Sequence, residues 1–105
     1  MTMVVSDLGR VTDPALLILA SLADGPKHGY AMLEDISTLA RVRLGPGTLY
    51  TALTRLEERG LVASLPAVDR RRPYRLTDVG VTYLQEQLNV LGTVIAVSRQ
   101  RLAAR

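Results

Sequence analysis

Gly47, Thr48, Thr51, Thr54, Arg55 and Glu58 recur at intervals that place them on one side of a helix, opposite Leu49, Leu53 and Leu56. At about 100° per residue the three leucines fall within about 60° of one another. The opposite side is thus mostly small groups and hydroxyls with one guanidinium. Short polar side chains let a backbone approach the floor of a nucleic-acid groove. Threonine hydroxyls can meet base edges or phosphates, threonine methyls can meet a thymine methyl, and Arg55 can reach guanine or phosphate. Thr48 stands at the helix start, where free N–H groups favour an anion. A second group, Arg70-Arg71-Arg72, sets three guanidiniums side by side. They repel one another unless something neutralises them, as phosphates or a narrow minor groove would. The plainer alternatives are a solvated helix face and a charged tip that keeps a hairpin edge soluble.

Enzyme chemistry finds little to use. The chain has one histidine, no cysteine and no acidic pair with an obvious partner. His28, following Lys27, reads as a helix cap or phosphate neighbour more readily than as a general base or metal ligand. The expectation is a non-enzyme without metal or cofactor. With 105 residues, 48% of them hydrophobic, the chain suits one domain with a modest core and is not a disordered tail. No apolar run of about 18 residues and no signal-like start is visible, so a soluble cytoplasmic protein without membrane contact is expected. The net charge of +3 is unevenly spread. Between Arg41 and Arg75, eight arginines face Glu57, Glu58 and Asp69, a net of +5, and the remainder carries −2. That asymmetry suits a polyanionic partner.

The elements that must position these groups follow from caps and periodicity. Residues 1–12 have no clean period and read as an N-terminal arm, whose Met3, Val4, Val5 and Leu8 suit packing across a dimer. Asp13-Pro14 reads as an N-cap and first helical residue, opening a nearly all-apolar helix over 15–23. Asp24-Gly25-Pro26 stops it. A second helix is expected over 28–39, with Tyr30, Leu33, Ile36, Leu39 and Ala40 inward. Arg41 to Leu44 alternates like a minor strand. The third helix should run over 46–59 and close at Gly60. Leu61–Leu65 and Tyr74–Leu76 read as the strands of a β-hairpin with a long arginine-rich tip over 66–73. Thr77 then caps a last helix reaching Ala103, roughly 40 Å long.

Helix, helix, helix, strand, charged tip, strand, long helix is the order of a winged helix, in which one helix fills the major groove and the hairpin lies along phosphates. The fold expected is mainly α with a small β-hairpin (α+β): a winged helix-turn-helix over 13–77 and a C-terminal dimerisation helix over 78–105. Gly47-Thr48-Leu49-Tyr50, with Leu53, Arg55-Leu56-Glu57 and Gly60-Leu61-Val62, resembles the recognition-helix signature of PadR-family regulators. His28-Gly29-Tyr30 with Leu33 resembles that family's second helix. Arg71-Arg72-Pro73-Tyr74 with Leu76-Thr77-Asp78-Val79-Gly80 resembles its wing and the start of its last helix. The likeness spans roughly Ala15 to Leu102 and is closest to the short subgroup with one C-terminal helix. It implies a homodimeric repressor on a near-palindromic operator, groove contact by Thr48, Thr51 and Arg55, and phosphate contact by Tyr50 and the wing. On the helical wheel Tyr50 lies at the edge of the leucine face, so half-buried core is an equal alternative for it. Together the candidate contacts to double-stranded DNA are Lys27, His28, Gly47, Thr48, Tyr50, Thr51, Arg55, Arg70, Arg71, Arg72 and Tyr74.

In the last helix Val81, Leu84, Leu88, Leu91, Ile95, Ser98 and Leu102 recur at alternating spacings of three and four, a heptad seam broken only by Ser98. Val90, Val94 and Val97 widen the apolar face. One small domain cannot cover so long a face, and a second copy is the simplest cover. The expected dimer contacts are Val81, Leu84, Leu88, Leu91, Ile95 and Leu102. Gly92, costly in a helix interior, suits close approach of two helices there. A small-molecule effector, if one acts, belongs at the dimer interface. Some short members of the family hold planar drugs there, chiefly between tryptophans. Here Trp and Phe are absent and Tyr83 is the last helix's sole aromatic. The rival reading is a winged-helix protein-interaction module. The basic tip and threonine row speak against it, because such modules usually lose both.

Overall fold

The computed structural model describes residues 13–105, so the expected arm over 1–12 lies outside the described residues. Helix α1 (Pro14–Ser21) leads into a 3-10 turn (Leu22–Asp24). There follow β1 (Lys27–His28), α2 (Gly29–Ala40), α3 (Pro46–Glu58), β2 (Val62–Ser64), β3 (Pro73–Leu76) and α4 (Asp78–Ala103).

Helix α1 begins where its cap chemistry says. The Asp13 carboxylate accepts from the Ala15 N–H at 2.9 Å, and Pro14 takes the first helical position. Being apolar nearly all round, α1 forms the middle of the core. Leu17, Ile18, Leu19 and Leu22 pack with Met32 and Ile36 of α2, Leu49, Leu53 and Leu56 of α3, and Leu61, Val62 and Leu84. Ser21 is buried among them, and its hydroxyl donates to Asp35 of α2 at 2.7 Å, so no polar group is stranded.

The inner face of α2 differs from expectation. Gly29, Met32 and Ile36 are its buried residues, whereas Tyr30 is 62% exposed and Leu39 57%. The inner stripe thus starts one residue earlier, at Gly29. Arg41 to Leu44 forms no strand. Arg41 instead closes α2 in the left-handed region at φ 56°, and Val42 and Leu44 pack against the core as irregular backbone.

The sheet has three strands where two were expected, in the order β1-β3-β2, all antiparallel. Tyr74 in the central strand lies opposite both Lys27 and Ser64. Alternation along β3 turns Tyr74 and Leu76 toward the core and Arg75 to solvent. Nor is the tip a long loop. Val68 and Arg71 exchange both backbone hydrogen bonds, so the hairpin continues to a two-residue turn at Asp69-Arg70. Both turn residues have positive φ, 50° and 65°, a conformation that matches hairpin twist but costs non-glycine residues roughly 1–2 kcal/mol each.

The end of α3 is bolted to the start of α4. Gly60, at φ 76°, lets its own N–H reach the Glu57 carbonyl and the Leu61 N–H reach the Leu56 carbonyl, a Schellman closure. Thr77 then bridges. Its hydroxyl donates to the Gly60 carbonyl at 2.6 Å and accepts from the Gly80 N–H at 2.9 Å, while its N–H donates to the Leu61 carbonyl at 3.1 Å. At Gly80 the two backbones approach so closely that a Cβ would stand 2.0 Å from the Leu61 oxygen. Gly80→Ala should therefore cost at least about 2 kcal/mol in urea unfolding, since a backbone atom cannot step aside as a flexible side chain could. Thr77→Val should cost about 1–2 kcal/mol through the lost cap. A Gly80→Ala protein as stable as the parent would contradict this close approach.

Candidate nucleic-acid interface

Helix α3 starts at a Gly45-Pro46 break without a side-chain cap; Pro46 removes one of the unpaired N–H groups of the first turn and leaves those that follow it open. Leu49, Leu53 and Leu56 anchor its inner face in the core. Gly47, Thr48, Thr51 and Arg55 stand exposed on the other side. These four line one open groove of about 810 Å³, with Asp13, Pro14 and Ala15 of the α1 start as its other wall. Thr54 is set apart from this row. Its hydroxyl donates to the Tyr50 carbonyl at 2.9 Å, one turn back.

The second expected group gathers into a smaller cavity of about 250 Å³. Its walls are His28, Gly29 and Tyr30 at the start of α2, Tyr50 on α3, Tyr74 on β3, and Arg70, Arg71 and Arg72 on the hairpin tip. Elements far apart in sequence thus meet there, and most of the expected phosphate contacts share one place. The ring of Tyr50 decides its spacing. A Cβ at Gly29 would lie 2.3 Å from the Tyr50 hydroxyl oxygen, so a larger residue there would push the ring away from the α2 backbone. Tyr50 is 48% exposed. One edge of the ring lies against the α2 start at Gly29, and Tyr50 is not part of the core cluster.

Local bonds orient the remaining groups. His28 is the N-cap of α2: its Nδ1 accepts from the Ala31 N–H at 3.3 Å, which places the ring proton on Nε2 as an available donor. Arg72 donates to the Ser64 hydroxyl at 3.5 Å. Burial pushes the Tyr74 phenol up from its ordinary value, and the nearby charge of Glu57 adds to this. It therefore remains a neutral donor over the physiological range. At Tyr30 a hydrogen bond with Glu34 likewise raises the phenol.

Lys27 is placed otherwise than the sequence suggested. Its ammonium donates to the Ser21 carbonyl at the end of α1 and pairs with Asp24, the one ion pair among the described residues. That hydrogen bond holds the Asp24 carboxyl below its ordinary value. The lysine is thus turned toward the α1 end, and it lines neither cavity described above. Sequence reading also missed Arg59. As the C-cap of α3 it sets its guanidinium 5.5 Å from the centre of the Tyr83 ring, a cation–π contact from α3 to α4. An arginine just before the closing glycine was a signal, but its aromatic partner lies 24 residues further on.

The expected dimer seam divides in two. Leu84 is only 4% exposed and belongs to the protomer's own core, and Leu91 is half-buried beside Leu16, Leu19 and Tyr83. These two lie one heptad apart, turned toward α1, and so do not form a free dimer face. Val81, Leu88, Ile95 and Leu102, also one heptad apart, are exposed. Beyond Leu91 the body of the domain ends, and the apolar face of α4 runs on with nothing over it. Among the described residues no helix is long and apolar enough to cross a membrane.

Comparison with known proteins agrees with this geometry. A profile described as the Transcriptional regulator PadR-like family matches residues 18–86. The chain is 46% identical over 78 residues to an uncharacterized 37.1 kDa protein in a transposon of Streptomyces fradiae, covering 74% of this chain and 23% of that protein. It is 39% identical over 79 residues to the transcriptional regulator Rv3488 of Mycobacterium tuberculosis, covering 72% of this chain and 73% of that one. The chain spans well under half the length of two of the curated relatives it matches. Among solved structures, a transcriptional regulator from Clostridium thermocellum superposes with a TM-score of 0.76 at 27% identity, covering 93% of this chain and 97% of that one. Bacillus subtilis PadR in complex with operator DNA superposes at 0.65 with 22% identity, covering 70% and 45%. With the signature residues, three-stranded winged fold and family match in agreement, this chain belongs to the PadR-like family of transcriptional regulators.

Proposed function

We propose that the protein is a sequence-specific DNA-binding repressor that acts as a homodimer on a palindromic operator. The observation that carries this reading is the shared cavity between Tyr50 of the recognition helix and Arg70, Arg71 and Arg72 of the wing. A duplex seated on α3 meets the wing at once, so groove reading and phosphate neutralisation occur in a single docking. A protein of the same fold, Bacillus subtilis PadR, has been solved in complex with operator DNA, which supports reading this chain as a DNA-binding one.

In this reading Thr48, Thr51 and Arg55 address base edges, and Gly47 lets the helix start come close to the duplex. Tyr50, Tyr74 and His28 Nε2 donate to backbone phosphates, and the three wing arginines release counterions. Lys27, held by Asp24 and Ser21, supports the β1–α2 corner and leaves the contact to its neighbours.

A second copy covers α4. The exposed Val81, Leu88, Ile95 and Leu102, widened by Val90 and Val94, form a stripe that one protomer leaves bare. Gly92 lies within this stretch, and a Cβ there meets nothing in the protomer, so its absence favours an approaching helix. A two-fold dimer presents two α3 helices to half-sites about one helical turn, roughly 34 Å, apart.

Two outcomes check the proposal. Replacing Arg70, Arg71 and Arg72 together by Ala should weaken binding to all duplexes and flatten the slope of log affinity against log salt by about 2–3, near 0.9 for each phosphate no longer neutralised. An unchanged slope removes the wing from the interface. Leu88→Glu with Ile95→Glu should give folded monomers by sedimentation, since neither side chain belongs to the protomer core. A dimer that survives both charges places the interface elsewhere.

A further inference from the structure

Arg59, at the end of α3, has no part in the DNA contacts assigned above. It is exposed, and it lines the open groove that also holds Gly47, Thr48, Thr51 and Arg55. Tyr50 and Arg59 are nine residues apart, about 180° around a helix, so they stand on opposite flanks of α3. The wing arginines share the Tyr50 flank. The start of α1 lies along the other, beside Arg55 and Arg59. A helix about 10–12 Å across fills a major groove about 12 Å wide, so one sugar-phosphate backbone runs along each flank. The wing serves the first of these backbones. Arg59 is placed for the second.

Its surroundings leave Arg59 ready for an anion. Among the described residues it forms no ion pair. Asp13, the acid in the same groove, accepts from the Ala15 N–H at 2.9 Å. The half-buried Tyr83 ring covers one face of the guanidinium, 5.5 Å from ring centre to Cζ. Guanidinium N–H donors lie in the plane of the group, so stacking leaves them open to fork onto phosphate oxygens. Stacking also fixes a long side chain in advance, which lowers the entropy lost on binding. Glu58, the exposed neighbour, keeps the last turn of α3 away from base edges, and Arg59 reaches the backbone from the flank.

We propose that Arg59 contacts the phosphates of the DNA strand on the side of α3 away from the wing, with Tyr83 of α4 as its positioning residue. The inference rests on α3 being the helix that enters the groove. The duplex is then gripped on both strands, by the wing on one and by Arg59 on the other. Helix α4 takes part in binding directly, because its Tyr83 holds the second cation.

Salt titration separates this role from a purely structural tie between α3 and α4. Arg59→Gln should flatten log affinity against log salt by about 0.9 for each bound chain, on random duplex and on duplex from upstream of the coding sequence alike. Arg59→Lys keeps the charge and should keep the parent slope. Tyr83→Leu keeps the apolar packing and the charge, so the slope should hold while affinity falls about 2- to 5-fold. Ethylation interference on the upstream duplex should show Arg59→Gln and the triple wing variant losing sensitivity at phosphates of opposite strands. A parent-like slope in Arg59→Gln, with only unfolding stability reduced, overturns the proposal, as does lost sensitivity on the strand that the wing contacts. Parent-like affinity of Tyr83→Leu removes the positioning role. If the triple wing variant flattens the slope and Arg59→Gln does not, the DNA reading stands and this inference alone fails. If the parent protein's binding to every duplex is independent of salt, both fail.

Discussion

The recognition helix and the last helix are joined backbone to backbone, and the rest of the molecule depends on that joint. Gly60 takes a left-handed turn that few residues accept, Leu61 folds back under α3, and its carbonyl then meets both the Thr77 N–H and the bare Cα of Gly80. Two glycines and one threonine thus fix the angle between the two functional helices. Leu61 and Leu84, both buried, fill the space behind them. Arg59 over Tyr83 adds a side-chain tie along the same line. The strands follow from this joint. Val62 continues directly from Leu61, β3 returns to Thr77, and the wing is the excursion between them.

Such a joint has a mechanical consequence. In the proposed dimer, a rigid connection between α3 and α4 makes the separation of the two α3 helices a property of how the two α4 helices cross. Closing the angle would drive the Gly80 backbone into the Leu61 carbonyl, and opening it would break the Thr77 hydrogen bonds to Gly60 and Leu61. On the proposed function, half-site spacing is therefore set by how the two α4 helices cross and by the packing around α1, Tyr83 and Leu91. The wing differs in kind. Its turn holds Asp69 and Arg70 at positive φ, and its exposed arginines share an open cavity with Tyr30 and Tyr50 instead of packing into the core.

Much of this was legible in the sequence. Asp13-Pro14, Gly60 and Thr77 marked element boundaries correctly because caps are local chemistry, decided within about four residues. The leucines of α3 marked the core face because one strong period ran through the whole helix. What failed needed a partner from far away. Strand β1 is two residues long, and only pairing with Pro73 and Tyr74 makes it a strand. Tyr30 and Leu39 fit a helical stripe, yet the Met32 and Ile36 face won because it meets the all-apolar α1. Lys27 is a different case: its partners, Asp24 and the Ser21 carbonyl, lie only three and six residues back and are brought to it by the turn. The α4 seam was read as one interface because heptad spacing does not say which side of the helix its own domain covers. Leu84 and Leu91 face the body, whereas Val81, Leu88, Ile95 and Leu102 are exposed.

The central claim is that α3 and the wing read DNA as a pair held by α4. Its most direct test is a stoichiometric titration of the purified protein onto the DNA upstream of its own coding sequence, at two salt concentrations, with random duplex as competitor. The account predicts two chains per site, resistance to competitor, and affinity that falls steeply with salt. Binding by one chain per site, or no preference over random DNA at either salt concentration, would contradict it.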